Sequence, residues 1–380
     1  MKKVIQLIST MNTGGAETMV KDYALLVDKE KVQMKIVVMS GQYHSTNEQI
    51  LKDKGIEIIY LGELLYGEKE DLNPLQKVLR RVSRYYYFRK LILEEKPDVL
   101  HVHLHFGWYL KVLPLKKLNM KLLFTVHNVI ENFFDAVPGW KEKYFEYREA
   151  DRLIKKYGMT LIALHDDMNR ELRDFFHTEN VVTINNGIML SRFNKQLYDR
   201  EEIRKSLGVG TEEFVVGHVG RYHEQKNHEL IVNVFKELLK IKPNSKLLLI
   251  GKGPLKEEIT KKIEREGLTD YVIMLENRQD VPQLMDAMDV FLFPSRWEGF
   301  GNVLIEAQSM GLRCVISDKV PESVILTENV QIKSLEEPLT AWVEAILNFN
   351  KKSVPRGTLT EHDMIYCVER LQHIYLDEPL

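Results

Sequence analysis

Residues 214–228 read Phe214-Val215-Val216-Gly217-His218-Val219-Gly220-Arg221-Tyr222-His223-Glu224-Gln225-Lys226-Asn227-His228. The run Phe214–Val219 has the apolar, β-branched character of a buried strand and stops at Gly220. A helical pattern opens at about Asn227 and continues to Lys240. Strand, short polar loop and helix in that order make half of a parallel β–α–β unit.

Outward from this stretch the same alternation recurs. Downstream, Lys246–Ile250, Val272–Leu275, Val290–Phe293 and Arg313–Ser317 read as strands, with helices at Leu255–Glu266 and Gly301–Met310. Upstream, strands are expected at Val4–Ile8, Lys35–Met39, Ile56–Leu61, Asp98–Val102, Leu122–Val126, Thr160–Leu164 and Val181–Ile184, with helices such as Ala16–Val27 and Pro74–Glu95. The turn signal Asn185-Asn186-Gly187 separates the two series. The expectation is therefore an α/β chain of two doubly wound parallel-sheet domains, residues 1–185 and 186–359, facing across a crevice. A closing helix within 360–380, with Met364, Val368, Leu371 and Ile374 on one face, is free by its spacing to pack on either, including back on the first.

Composition narrows the classes. The 380 residues carry 53 basic and 55 acidic side chains, a balance that argues against a nucleic-acid-binding surface. Two cysteines, Cys314 and Cys367, are too few for a disulfide framework. The apolar start is broken by Gln6 and ends after Ile8, short of a secretory signal, and nothing approaches a membrane span. A cytoplasmic protein is expected. There is no phosphate loop of the Gly-x-x-x-x-Gly-Lys-Ser/Thr type, no zinc spacing and no Asp-x-Asp to hold a divalent cation.

Arg221 and Lys226 share the loop after Phe214–Val219, where a guanidinium fork and an ammonium would suit a diphosphate gaining charge. A second loop, Phe293-Pro294-Ser295-Arg296-Trp297-Glu298-Gly299-Phe300-Gly301-Asn302-Val303-Leu304-Ile305-Glu306-Ala307, combines glycines, a helix N-terminus and two carboxylates. That mixture fits a ligand offering both phosphate and hydroxyls.

With Glu298 and Glu306 forming Glu-x7-Glu, the Gly-Arg…Gln-Lys-Asn run, and Gly14-Gly15-Ala16-Glu17 after the first strand, the chain resembles retaining glycosyltransferases of family four, with the GT-B fold of two Rossmann-like domains. Its second half is similar to transferases of bacterial exopolysaccharide and capsule. The resemblance implies a UDP-sugar donor, no metal or other cofactor, and a polyprenyl-diphosphate-linked acceptor. It gives Arg221 and Lys226 to the diphosphate, Glu306 to the ribose, Glu298 to the sugar, and Phe300, Gly301, Asn302 and Val303 to sugar or phosphate through backbone amides. Gly14 and Gly15 would close the phosphate side. His127, in Thr125-Val126-His127-Asn128, matches a histidine near the donor sugar; a loop-capping histidine is the competing reading. Glu276-Asn277-Arg278 stands where the family often has glycine near the base, so Arg278 is placed with the nucleotide, and Val320-Pro321-Glu322 matches the family pattern only in part. A sugar-nucleotide epimerase of the same architecture and a non-catalytic binding protein are the alternatives.

Two features concern the acceptor side. Lys77, Arg80, Arg81, Arg84, Arg89 and Lys90, with Tyr85-Tyr86-Tyr87-Phe88 among them and no clean apolar face, suit either an anionic membrane surface, making the protein peripheral, or an ordinary solvated helix. His101, His103 and His105 alternate on one strand face, as metal ligands or, by the resemblance, as cleft-lining polar groups.

Overall fold

The computed structural model describes residues 1–12, 14–68, 71–103, 106–127, 139–348 and 359–379. The chain divides into two units, Met1–Gly187 with Met364–Leu380, and Ile188–Asp363. The division falls two residues beyond 185 at one crossing and four beyond 359 at the other. Gly187 stands at the first crossing, where a Cβ would lie 2.8 Å from Met364 Cα and 2.9 Å from Cys367 Sγ, so only glycine fits.

The first unit holds a seven-stranded parallel sheet of β1 (Lys2–Ile8), β2 (Val32–Val38), β3 (Ile58–Tyr60), β4 (Val99–His103), β5 (Lys121–Thr125), β6 (Thr160–Ala163) and β7 (Val181–Thr183). Its order is β3-β2-β1-β4-β5-β6-β7. The second unit holds six parallel strands, β8 (Phe214–Val219), β9 (Ser245–Ile250), β10 (Val272–Leu275), β11 (Val290–Phe293), β12 (Arg313–Ser317) and β13 (Val330–Lys333), in the order β10-β9-β8-β11-β12-β13. Each sheet reverses direction once, between β1 and β4 and between β8 and β11.

The central strand β11 of the second unit is apolar without a break because both its faces are covered. Phe291 and Phe293 join one core with Val215, Leu248 and Leu304, while Val290 and Leu292 join another with Val216, Leu247 and Trp342. Strand β13 was not legible: it is a short edge strand whose residues are at most half-buried, so no apolar run marks it. β2 begins three residues before the expected Lys35, because Val32, Met34 and Ile36 are buried while Gln33 points outward.

The closing helix, Met364–Leu376, belongs to the first unit. It buries Met364, Cys367, Val368, Leu371, Ile374 and Tyr375, and Lys121 Nζ donates to the Ile374 carbonyl at 2.7 Å. Among the described residues no helix is long and apolar enough to cross a membrane.

Candidate active site

In open α/β sheets, ligands gather where the strand order reverses, beyond the strands' carboxyl ends. In the second unit that place is occupied by the loops after β8 and β11, which are laced together. Arg296 N–H donates to the Gln225 carbonyl (2.7 Å), and Gln225 Nε2 donates to the Trp297 carbonyl (3.0 Å) and to Glu298 Oε2 (3.3 Å). Lys226 Nζ donates to Glu298 Oε1 at 2.6 Å and lies 4.7 Å from the centre of the Phe293 ring. Glu298 is only 8% exposed. A buried carboxylate is tolerable here because the ammonium neutralises it and both its oxygens are engaged.

Arg221, on the same loop, is exposed and has no ion pair among the described residues. Gly301 caps the helix Asn302–Ser309 with φ +98°, a conformation other residues rarely adopt. The first turn of that helix directs the free N–H groups of Asn302 and Val303 outward. Phe300 is buried, its ring 5.8 Å from that of His362. Two polar atoms close by, Asn302 Oδ1 and Ser295 Oγ, are buried without a partner. Orphaned groups of this kind are rare and commonly await a ligand or water.

Glu306, one turn into the helix, is half-buried at the surface. Burial nevertheless pushes its carboxyl up to about 7, against the opposing pull of Arg192. No hydrogen bond or ion pair engages it among the described residues. Arg278 is otherwise employed: its fork holds Asp280, and this pairing raises the arginine and holds the carboxyl below its usual range. Sequence reasoning missed Gln225 as the lace between loops, and Arg192, which lies far from either motif.

Gly14, Gly15 and His127 belong to the first unit. Gly14 caps the helix Gly15–Leu26, Thr10 Oγ1 donates to Glu17 Oε1 at 2.6 Å beside it, and Gly15 faces open space. His127 is half-buried as a residue, and burial draws its pKa down to about 4. The alternating histidines need correction. His101 and His103 are fully buried, with both ring nitrogens of each hydrogen-bonded inside the first unit, so neither lines a cleft; His105 lies outside the described residues, as does Asn128. No group of three side chains suited to a metal ion occurs among the described residues.

The basic segment lies on the helix Pro74–Glu95. Phe88 and Ile92 are buried, but a second apolar face points outward: Leu75, Val78, Leu79, Val82 and Tyr86 are each 44% exposed or more. Lys77, Arg80, Arg81 and Arg84 turn the other way and, with Leu72, Tyr85 and Tyr109, line a recess of about 300 Å³. Burial pushes the Tyr109 hydroxyl up to about 12, with Arg84 opposing.

Residues 199–357 match the family model described as glycosyl transferases group 1, and residues 13–192 match that of glycosyltransferase family 4. EpsF of Bacillus subtilis, a protein named as a glycosyltransferase, is 30% identical over 91% of this chain and 87% of its own length. The chain belongs to the group 1 glycosyltransferases. A further relative of this glycosyltransferase is the Escherichia coli UDP-Gal:alpha-D-GlcNAc-diphosphoundecaprenol alpha-1,3-galactosyltransferase, 24% identical over 76% of this chain and 77% of that one. Among solved structures, Anabaena HepE in complex with UDP superposes with a TM-score of 0.73 at 17% identity, over 99% of this chain and 100% of that one, which establishes the shared GT-B fold.

Proposed function

We propose that this enzyme moves a hexose from a UDP-sugar, with retention and without a catalytic metal, to a hydroxyl of a lipid-linked precursor of a surface polysaccharide. The observation that carries the reading is the laced pair of loops at the β8/β11 reversal. There an unpaired Arg221, the Lys226–Glu298 pair and the N-terminus of the helix Asn302–Ser309 stand together. HepE is described with UDP, and the E. coli relative is named for UDP-galactose and a diphosphoundecaprenol acceptor; both support the choice of donor and acceptor class.

In this reading the bond from the anomeric carbon to the diphosphate breaks while a bond to the acceptor oxygen forms on the same face. The acceptor's proton passes to the departing phosphate oxygen. Negative charge grows on the diphosphate, and Arg221, Lys226 and the helix N–H groups meet it. Glu306 accepts the ribose hydroxyls, and Glu298, held by Lys226, faces the sugar. Arg278 would have to exchange Asp280 for the nucleotide and carries least of the assignment.

The purified protein, given a UDP-sugar and a polyprenyl-diphosphate-linked acceptor, should yield a glycosylated acceptor with the donor's anomeric configuration, read by mass spectrometry and NMR. Turnover should persist in excess EDTA, since basic groups meet the phosphate charge. Activity abolished by EDTA and restored by Mg²⁺ or Mn²⁺ would overturn the metal-free step. Conversion of the UDP-sugar to its epimer with no acceptor present would overturn the transferase reading itself.

The helix Pro74–Glu95 supports a membrane-bound acceptor. Its outward apolar face can enter the headgroup boundary while Arg89 and Lys90 on the same helix reach lipid phosphates. Wild-type protein should therefore sediment with anionic vesicles at low salt, and Val78→Ser with Val82→Ser should weaken this several-fold; equal sedimentation would return the helix to ordinary surface.

A further inference from the structure

We infer that Gln6, held by Tyr375 on the closing helix and turned by Met34, acts through His103 to fix His127 as the Nε2–H tautomer and leaves Nδ1 as a hydrogen-bond acceptor. Gln6 is fully buried in the middle of β1, beside His101 in the paired strand β4. Its amide has two distinguishable ends, nitrogen that only donates and oxygen that only accepts. Nε2 lies 2.7 Å from the Tyr375 hydroxyl and 3.8 Å from Met34 Sδ, and Oε1 lies 2.7 Å from His103 Nε2. The reversed amide would turn oxygen toward the sulfur, acceptor against acceptor. His103 Nε2 must therefore donate.

A neutral imidazole donates from one nitrogen only. Burial holds His103 well below the ordinary histidine range, so its Nδ1 accepts. The atom 2.9 Å away is His127 Nε2, which must carry the proton. On the other branch, Tyr375 accepts from Gln6 and donates to His101 Nδ1 at 2.8 Å, and His101 Nε2–H donates to Thr125 Oγ1 at 2.7 Å. Five hydrogen bonds thus run in one direction, His127 to His103 to Gln6 to Tyr375 to His101 to Thr125. Each bond polarises the next. The chain starts and ends two residues apart, at the carboxyl end of β5.

The consequence for the reaction rests on the reading of His127 as a residue that meets substrate. An unprotonated Nδ1 can take a sugar hydroxyl; it cannot donate to a phosphate oxygen or serve as a general acid. Tyr375, Gln6 and His103 are then positioning residues.

The test is long-range ¹H–¹⁵N correlation on histidine-labelled full-length protein, where protonated and bare ring nitrogens of a neutral imidazole resonate far apart. Wild-type His127 should show a protonated Nε2 and a bare Nδ1. Tyr375→Phe should turn the His103 and His127 signals into a mixture of tautomers and lower kcat by about 2–10-fold, the worth of one hydrogen bond. A bare Nε2 in the wild type, or signals unmoved in Tyr375→Phe, would overturn the inference; should that variant not fold, the wild-type spectrum decides. His127→Ala tests the other reading separately: full turnover there removes His127 from the substrate and leaves the relay standing.

Discussion

Both sheets reverse their strand order in the same way, yet the polar groups at the two reversals differ in kind. Between β1 and β4 they are neutral, fully buried and joined donor to acceptor along an unbroken chain through His103, Gln6 and, by way of Tyr375, His101. Beyond β8 and β11 they are charged, held in loops and incompletely satisfied: Arg221 unpaired, Glu306 unengaged, Asn302 Oδ1 orphaned. The topology supplies an address at each reversal. Whether the address becomes scaffold or binding site depends on whether the side chains there satisfy one another.

The comparison breaks most decisively at Arg221. Because it touches no partner, Arg221→Ala should leave the unfolding temperature unchanged while kcat falls by about 10²–10³. Lys226→Ala should match that loss and also destabilise the fold, since it leaves Glu298 buried and unpaired. Activity within a few-fold of wild type in both variants would remove the loop from the site.

The opposite behaviour is expected at the other reversal. Gln6→Leu leaves His103 Nε2 without a partner inside the first unit and takes from the Tyr375 hydroxyl its donor, though Tyr375 keeps His101, so denaturant unfolding should show a loss of about 1–3 kcal/mol. UDP affinity, assigned to the second unit, should stay within two-fold, a difference of about 0.4 kcal/mol. A Gln6→Leu variant as stable as wild type would mean the buried chain contributes nothing net.

The smallest effect sharpens the contrast through pH. Burial raises Glu306 to about 7, so its carboxylate form, which in the proposed function accepts two ribose hydroxyls, grows as pH rises from 6 to 8. Affinity for UDP measured by calorimetry should increase across that interval by about 3–5-fold, roughly 1 kcal/mol, and Glu306→Gln should bind more weakly with a flatter profile. An identical slope in wild type and variant would assign the titration to another group.

Much of this molecule is written locally. Apolar runs of strand length alternating with amphipathic segments dictate parallel sheets, because burial on both faces leaves an uninterrupted apolar signature such as Val290–Phe293. The loops with Arg221, Lys226, Glu298 and Glu306 were legible for the same reason: glycines and charges directly after a strand are local facts. Strand β13 was not, since an edge strand buries too little to leave a pattern. Three other features waited for the tertiary structure. The closing helix joins the first unit because Gln6, Lys121 and Gly187 meet it across more than 170 positions of sequence, and spacing within the helix holds no information about them. The outward apolar face of Pro74–Glu95 looked irregular in sequence because the face buried by the fold and the face left to solvent both carry apolar residues. Gln6 stood out only as a break in an apolar run, and His101 and His103 only as an alternation. A buried hydrogen-bond chain is specified by distances between strands, and those exist only once the sheet has formed.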